Sequence, residues 1–183
     1  MSKYMMASGQ LIDIENFSED MVHIEDIAHH LAKIQRFNGA TPLDKSYTVG
    51  EHSVNLANYF RFYRQLRKVA LLHDASEAYL SDLVSPVKKH LSDYQELEEK
   101  VQQVIYRKFG ITVSDHGRED VDLADKRLIM DEAAAIMPDR LHIFEKELGL
   151  EPLEVKVEFN NHPGTVKMVY LNLFAQYGLT EGS

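Results

Sequence analysis

The sequence predicts an all-α fold on three observations. Apolar residues recur every three to four positions in segment after segment, the pattern of amphipathic helices. Breaker-rich stretches such as Asn38-Gly39-Ala40-Thr41-Pro42 separate those segments. Only Leu153, Val155, Val157 and Phe159 alternate with polar residues, so at most a minor two-stranded β pairing is expected.

Residues 1–9 are small, polar or Met-rich and are expected to fray. Leu11–Ile14 is the candidate partner of the alternating Val155–Phe159 stretch. A long amphipathic helix is expected from His23, with Ile24, Ile27, Leu31 and Ile34 on its apolar stripe and Asp26, His29 and His30 turned away from it. Val49 to Tyr63 reads as a second helix. Leu66 and Val69-Ala70-Leu71-Leu72 make a third, strongly apolar one that ends at His73-Asp74. Pro86 suits the first turn of a short helix. Ser92 opens another, with Ser92 and Gln95 at capping-box spacing and Gly110 at its stop. Helices over 120–136, 139–148 and 164–177 complete the chain. No repeat or linker interrupts it, so residues 1–183 are expected to form one domain.

The chain has 183 residues, 44% hydrophobic and 27% charged, enough for a single core without staples. Its 29 acidic residues outnumber 20 basic ones, for a net charge of -9. A field of that sign disfavours a nucleic-acid polymer or a membrane surface as partner. It leaves room for a small anion held by a local cation. The absence of cysteine removes thiol nucleophiles, disulfides and zinc ribbons, and fits a cytoplasmic setting. The first twenty residues show no signal-peptide pattern and no apolar run is long enough to span a bilayer.

The chemistry concentrates around His73. A His-Asp pair alone is close to chance in a chain with nine histidines. This pair, however, ends an apolar helix, where neither residue is cheap to bury without a partner. Glu77 and Asp82 follow within ten positions. Three carboxylates and an imidazole so close together repel one another unless a cation joins them. His52 on the second helix and an acid on the helix over 120–136 are candidate further ligands, as in helix-bundle metal sites. Spacing does not choose among Asp120, Asp122, Asp125 and Asp131. His90, His116, His142 and His162 lack such a carboxylate set, and Glu96, Glu98 and Glu99 read as a solvated face.

Gly50-Glu51-His52-Ser53 and the run from Leu71-Leu72-His73-Asp74-Ala75-Ser76-Glu77 through Ser85-Pro86-Val87-Lys88 resemble the HD-domain metal-dependent phosphohydrolases. The resemblance is to their small nucleotidase subgroup, which includes bacterial 5'-deoxynucleotidases, prophage deoxynucleotide phosphohydrolases and phage dATP triphosphohydrolases. It covers about Ile24 to Ala135 and is most specific from His73 to Lys88. It implies an HD-domain helical bundle in which His52, His73, Asp74 and Asp125 hold one divalent ion (Zn, Co, Mn or Mg). Additional Mg would accompany a triphosphate substrate. Glu77 matches the acid that orients or deprotonates the attacking water, and Asp82 a second acid near the phosphate. Arg36, Lys88 and Lys89 match phosphate-contacting positions; Phe37 and Tyr79 are candidate platforms for the nucleoside. Glu51 is a further acid assigned to the surroundings of the metal. Phe37 stands where the deoxynucleotidase carries Trp, which leaves sugar selectivity open.

The function so implied is hydrolysis of a deoxynucleotide. The Arg36-Phe37-Asn38-Gly39 and Tyr47-Thr48-Val49-Gly50-Glu51-His52 contexts favour the phage group, hence release of triphosphate from dATP or a related purine dNTP. The alternative is a 5'-deoxynucleotidase acting on dNMPs. A catalytically inactive HD nucleotide-binding module is the alternative of another class. The same resemblance implies self-association, as a dimer or a trimer of dimers, in the cytoplasm (a host's, if the protein is phage-encoded). Each side chain also has an ordinary reading: a helix C-terminal charge for Arg36, solvated lysines at Lys88 and Lys89, and core aromatics at Phe37 and Tyr79.

Overall fold

The computed structural model describes residues 3–180, and they form an all-α bundle with one small β hairpin. Strand β1 (Lys3–Met5) pairs antiparallel with β2 (Leu11–Asp13), with Tyr4 opposite Ile12. Two expectations are corrected here: residues 3–9 are not frayed, and Leu11–Asp13 does not pair with Val155–Phe159. Residues 1 and 2 of the stretch expected to fray lie outside the described residues. Met6 and Ile12 are buried and anchor the hairpin to the core. Its turn is held by Asp26, which accepts hydrogen bonds from Ser8 N at 2.8 Å and Ser8 Oγ at 2.7 Å, while His30 Nε2 accepts from Ala7 N at 3.2 Å. Asp26 is therefore buried rather than turned to solvent.

Helix α1 (Ile24–Leu31) is shorter than its apolar periodicity suggests. The chain leaves it to form an isolated bridge between Gln35 and Thr48. Between these two lies a tight turn in which Phe37, Asn38 and Gly39 all have left-handed backbones (φ 56°, 52° and 70°). Helix α2 (Val49–Tyr59) opens with a capping box: Thr48 Oγ1 accepts from Glu51 N, and Glu51 Oε2 accepts from Thr48 N at 2.8 Å. Every residue from Val49 to Ala57 is buried, so α2 runs through the core. Gly50 permits this, because a Cβ there would meet Leu31, Ala32 and Val166 at 3.1–3.2 Å.

Helix α3 (Leu66–Leu72) packs along α2 and is followed by two single-turn helices, α4 (Glu77–Leu80) and α5 (Ser85–Lys88). The long α6 (Ser92–Lys108) begins without the expected capping box; Leu91 is its N-cap and offers no side-chain bond. Helix α7 (Asp115–Ile136) crosses α2 and α3, α8 (Leu141–Leu148) lies on α7, and α9 (Pro163–Gln176) closes the bundle against α1 and α2. Tyr170 on α9 donates to Leu71 O at 2.6 Å, which ties α9 to α3.

Residues 153–160 form neither helix nor strand, and Glu154 has a left-handed backbone (φ 61°); side chains of α2 and α7 satisfy their backbone instead. Asp131 accepts from Leu153 N at 2.7 Å and Val155 N at 2.9 Å. Asn55 both accepts from Glu158 N and donates to Glu158 O. Glu51 Oε1 accepts from Asn160 N. The alternation of Val155, Val157 and Phe159 thus belongs to a strap held on helices by side-chain bonds rather than to a strand. No helix among the described residues is long and apolar enough to cross a membrane.

Candidate metal centre

His52 lies one turn into α2, in its fully buried stretch. His73 and Asp74 stand where α3 ends. The chain breaks there because Gln102 of α6 takes over two backbone groups: its Nε2 donates to Leu72 O at 2.7 Å and its Oε1 accepts from Ser76 N at 3.0 Å. That buried amide fixes the bend that aims His73 and Asp74 inward. Asp125 projects from the middle of α7.

These four residues converge. His52 Nε2 lies 3.2 Å from His73 Nε2, 2.9 Å from Asp125 Oδ1 and 3.8 Å from Asp74 Oδ2. His73 Nε2 lies 3.2 Å from Asp74 Oδ2 and 3.9 Å from Asp125 Oδ1. An ion with ligands at about 2.0–2.2 Å sets neighbouring donors roughly 2.8–3.6 Å apart, so most of these separations suit one. His52, His73 and Asp74, with ligand atoms all within 4.8 Å of one another, could hold a metal ion.

The tautomers support the same reading. His73 Nδ1 faces Ala70 O at 2.8 Å, and His52 Nδ1 faces a carboxylate oxygen of Glu132 at 2.6 Å. Neither oxygen can donate, so both Nδ1 atoms carry protons. Two neutral imidazoles would then turn their Nε2 lone pairs toward each other at 3.2 Å. Each Nε2 also faces a carboxylate, Asp125 at 2.9 Å for His52 and Asp74 at 3.2 Å for His73, so a proton on the ring or a shared metal ion satisfies the lone pairs. Without metal the proton is retained: burial and Arg36 oppose it, but Glu132 and Asp125 outweigh them and push His52 up to about 9. His73 is also raised, Asp74 prevailing over burial. Burial would raise Asp74 itself, yet His73, His52 and Arg36 hold it well below the ordinary carboxylate range.

Acids surround the cluster. Glu77 is buried, and one of its oxygens has no hydrogen-bond partner. Burial, then Asp74 and Asp82, push its carboxyl well above the ordinary value. Asp82 is raised by burial against the pull of Arg36. It follows Ser81, whose backbone (φ 69°, ψ 159°) lies in a region that normally requires glycine. Arg36 reaches in from the left-handed turn, 3.8 Å from Asp74 and 3.4 Å from Glu132.

Beside the cluster opens a cavity of about 450 Å³. Arg36, Asp82, Lys89 and Glu147 supply its charged lining, and Phe37, Ile129, Ile143 and Phe144 an apolar wall. Phe37 packs edge-to-face on Phe144, and Arg36 lies over the Phe37 ring at 5.8 Å. Lys88 lines a smaller cavity of about 170 Å³ together with His73 and Asp74; its Nζ bonds Glu98 at 2.7 Å and stands 3.9 Å from Glu77.

Two assignments are corrected. Tyr79 does not line the cavity. Its ring is buried edge-on against Phe17, and its hydroxyl bonds the backbone of Met21 and His23, so it is a core aromatic. Glu51 is spent on the α2 cap and on Asn160, both of its oxygens accepting from backbone N–H groups. Among the acids of α7, Asp131 holds the strap and Asp120 lines a separate cavity with Tyr59 and Tyr63, while Asp125 reaches the histidines.

Sequence reasoning missed Glu132. It is wholly buried and accepts from Tyr47 OH at 2.7 Å as well as from His52 and Arg36. Its position seven residues beyond Asp125, two turns along one helix face, was the available signal.

No family model matches the sequence. Over 112 residues the chain is 37% identical to an uncharacterized protein of Rhodobacter capsulatus, covering 58% of this chain and 57% of that one. Over 104 residues it is 36% identical to the uncharacterized protein YfdR of Escherichia coli, covering 57% and 56%. The chain thus spans between half and two thirds of the length of the curated relatives it matches.

Proposed function

We propose that the protein is a metal-dependent phosphohydrolase of the HD type that acts on deoxynucleotides, releasing triphosphate from a dNTP. The observation that carries this reading is the convergence of His52 and His73, each with Nδ1 tied to an acceptor, on Asp74 and Asp125. The donor set, imidazole plus carboxylate, suits Mn, Co, Zn or Mg. A divalent ion bound there supplies Lewis acidity to a phosphoryl oxygen and to the attacking water.

The chain's own residues do the rest. Glu77, buried three residues beyond Asp74 with one oxygen free of hydrogen-bond partners, takes the proton of the water as its oxygen attacks phosphorus. Arg36 faces the cavity and offsets charge on the non-bridging oxygens. The bond that breaks joins phosphorus to the nucleoside 5'-oxygen. Asp82, raised by burial and standing in the cavity wall, is the nearby acid that can return a proton to that oxygen. Phe37 and Phe144 offer an aromatic wall for the nucleoside, and Lys89 a second cation. Lys88 acts on Glu77, since Glu98 already holds its ammonium. The setting we propose is the cytoplasm.

The test is a panel of dNTPs and dNMPs with Mn, Co, Mg or Zn, the products separated as phosphate or triphosphate. Triphosphate from a purine dNTP is the expected product. Phosphate from dNMPs alone would assign the 5'-deoxynucleotidase reaction instead. No product from any substrate would sink the enzymatic reading.

A further inference from the structure

We infer that Glu132 is a positioning residue: it fixes His52 for metal binding and keeps Arg36 off the ligand Asp74. The inference rests on His52 and Asp74 being metal ligands.

Glu132 has no exposed surface, and its two oxygens are divided between two tasks. Oε1 accepts from Tyr47 OH at 2.7 Å and His52 Nδ1 at 2.6 Å, while Oε2 faces Arg36 Nη2 at 3.4 Å. Tyr47 is itself fully buried and receives a bond from Asn55 Nδ2 at 3.1 Å, so the carboxylate cannot drift. The first task sets the ring of His52. A proton held on Nδ1 leaves Nε2 as the free lone pair, and the short bond fixes the direction in which it points.

The second task concerns Arg36. Its guanidinium lies between two carboxylates, Glu132 at 3.4 Å and Asp74 at 3.8 Å. Of these, Asp74 is a candidate ligand and Glu132 is not. Were Glu132 neutral, Asp74 would be the nearer counter-charge for a mostly buried cation that cannot lose its proton. Arg36 would then compete with the ion for Asp74 Oδ2. Glu132 thus serves the metal site twice, once through a ligand's orientation and once by occupying a rival cation.

A purely architectural Glu132 would affect stability and leave metal affinity alone, and that difference is measurable. The experiment compares Co²⁺ binding to the full-length wild type and to Glu132→Gln, by equilibrium dialysis and by the visible bands of bound Co²⁺. Glutamine keeps the shape but removes the charge. Loss of such outer partners typically weakens metal binding roughly 10- to 100-fold, and a drop in that range with altered Co²⁺ bands is expected. Affinity within about twofold of wild type would overturn the inference, and would leave the metal centre itself standing. Should Glu132→Gln fail to fold, Tyr47→Phe removes one of the bonds that steady the carboxylate. A severalfold loss of Co²⁺ affinity then supports the inference, and none overturns it. A wild type that takes up no Co²⁺ would instead overturn the metal reading beneath it.

Discussion

Phe37 meets Phe144 edge-to-face with ring centroids 5.7 Å apart, although Phe37 holds a left-handed backbone (φ 56°) to do so. A bulky residue rarely adopts that conformation. Here the turn brings Arg36 and Phe37 to the same cavity, one beside the ligand cluster and one against α8. An edge-to-face aromatic pair contributes roughly 0.5–1.5 kcal/mol beyond its burial. Phe144→Leu keeps an apolar wall but loses that contact. It is expected to raise KM for a deoxynucleotide about three- to tenfold with kcat little changed. Steady-state kinetics on the best substrate of the panel would show it; an unchanged KM would remove α8 from the substrate wall.

The acids of α7 provide a second comparison. Asp125 stands 2.9 Å from His52 Nε2, whereas Asp131 binds the backbone of Leu153 and Val155. Asp125→Asn is expected to abolish tight metal binding while the fold survives. Asp131→Ala should do the reverse. Losing two hydrogen bonds to a carboxylate costs about 2–4 kcal/mol, read as a lower urea midpoint, with metal titration unchanged. Metal binding that survived Asp125→Asn would displace the fourth ligand to another acid.

These contrasts mark what was legible in the sequence. The helices were, because periodic burial writes itself into apolar spacing. The end of α3 was too, since His73-Asp74 at the tip of an apolar run is costly without a partner. Gln102, Asp131 and Glu132 were not. A polar residue on a long helix looks solvated unless one knows which backbone group it must satisfy across the bundle. The hairpin of Lys3–Met5 with Leu11–Asp13 escaped notice because strands of three residues are too short to display alternation. Tyr79 lies inside the most specific stretch of the resemblance, yet its ring faces Phe17; proximity in sequence to a ligand does not place a side chain at the site.

Ser81 offers a test of strain. Its φ of 69° with ψ of 159° costs a residue with a Cβ about 1–3 kcal/mol. The surroundings enforce it: Tyr94 OH donates to Ser81 O at 2.8 Å, and α4 stops there so that Asp82 enters the cavity wall. Ser81→Gly should therefore stabilise the protein, by about 1 kcal/mol in urea unfolding. Ser81→Val should destabilise it. Equal stability of both variants would mean that the turn relaxes freely in solution.

The proton on His52 links stability, metal and pH. In the metal-free folded chain it is retained up to about pH 9, while an unfolded histidine loses it near pH 6.5. A group whose pKa is raised on folding contributes stability that is complete below the unfolded value and disappears as pH climbs through the folded one. Chelator-treated protein is therefore expected to lose stability between about pH 6.5 and 9. The ion competes for the same lone pair on Nε2, so apparent Co²⁺ affinity should rise across that window, with proton release on binding. Titration calorimetry in buffers of different ionisation enthalpy counts those protons, and thermal melts with and without Co²⁺ give the stabilities. With Co²⁺ bound, the decline above pH 6.5 should flatten, because the metal replaces the proton on His52 Nε2 that faces Asp125 at 2.9 Å. A metal-free protein whose stability does not change from pH 6.5 to 9 would show that His52 is not protonated in the folded chain.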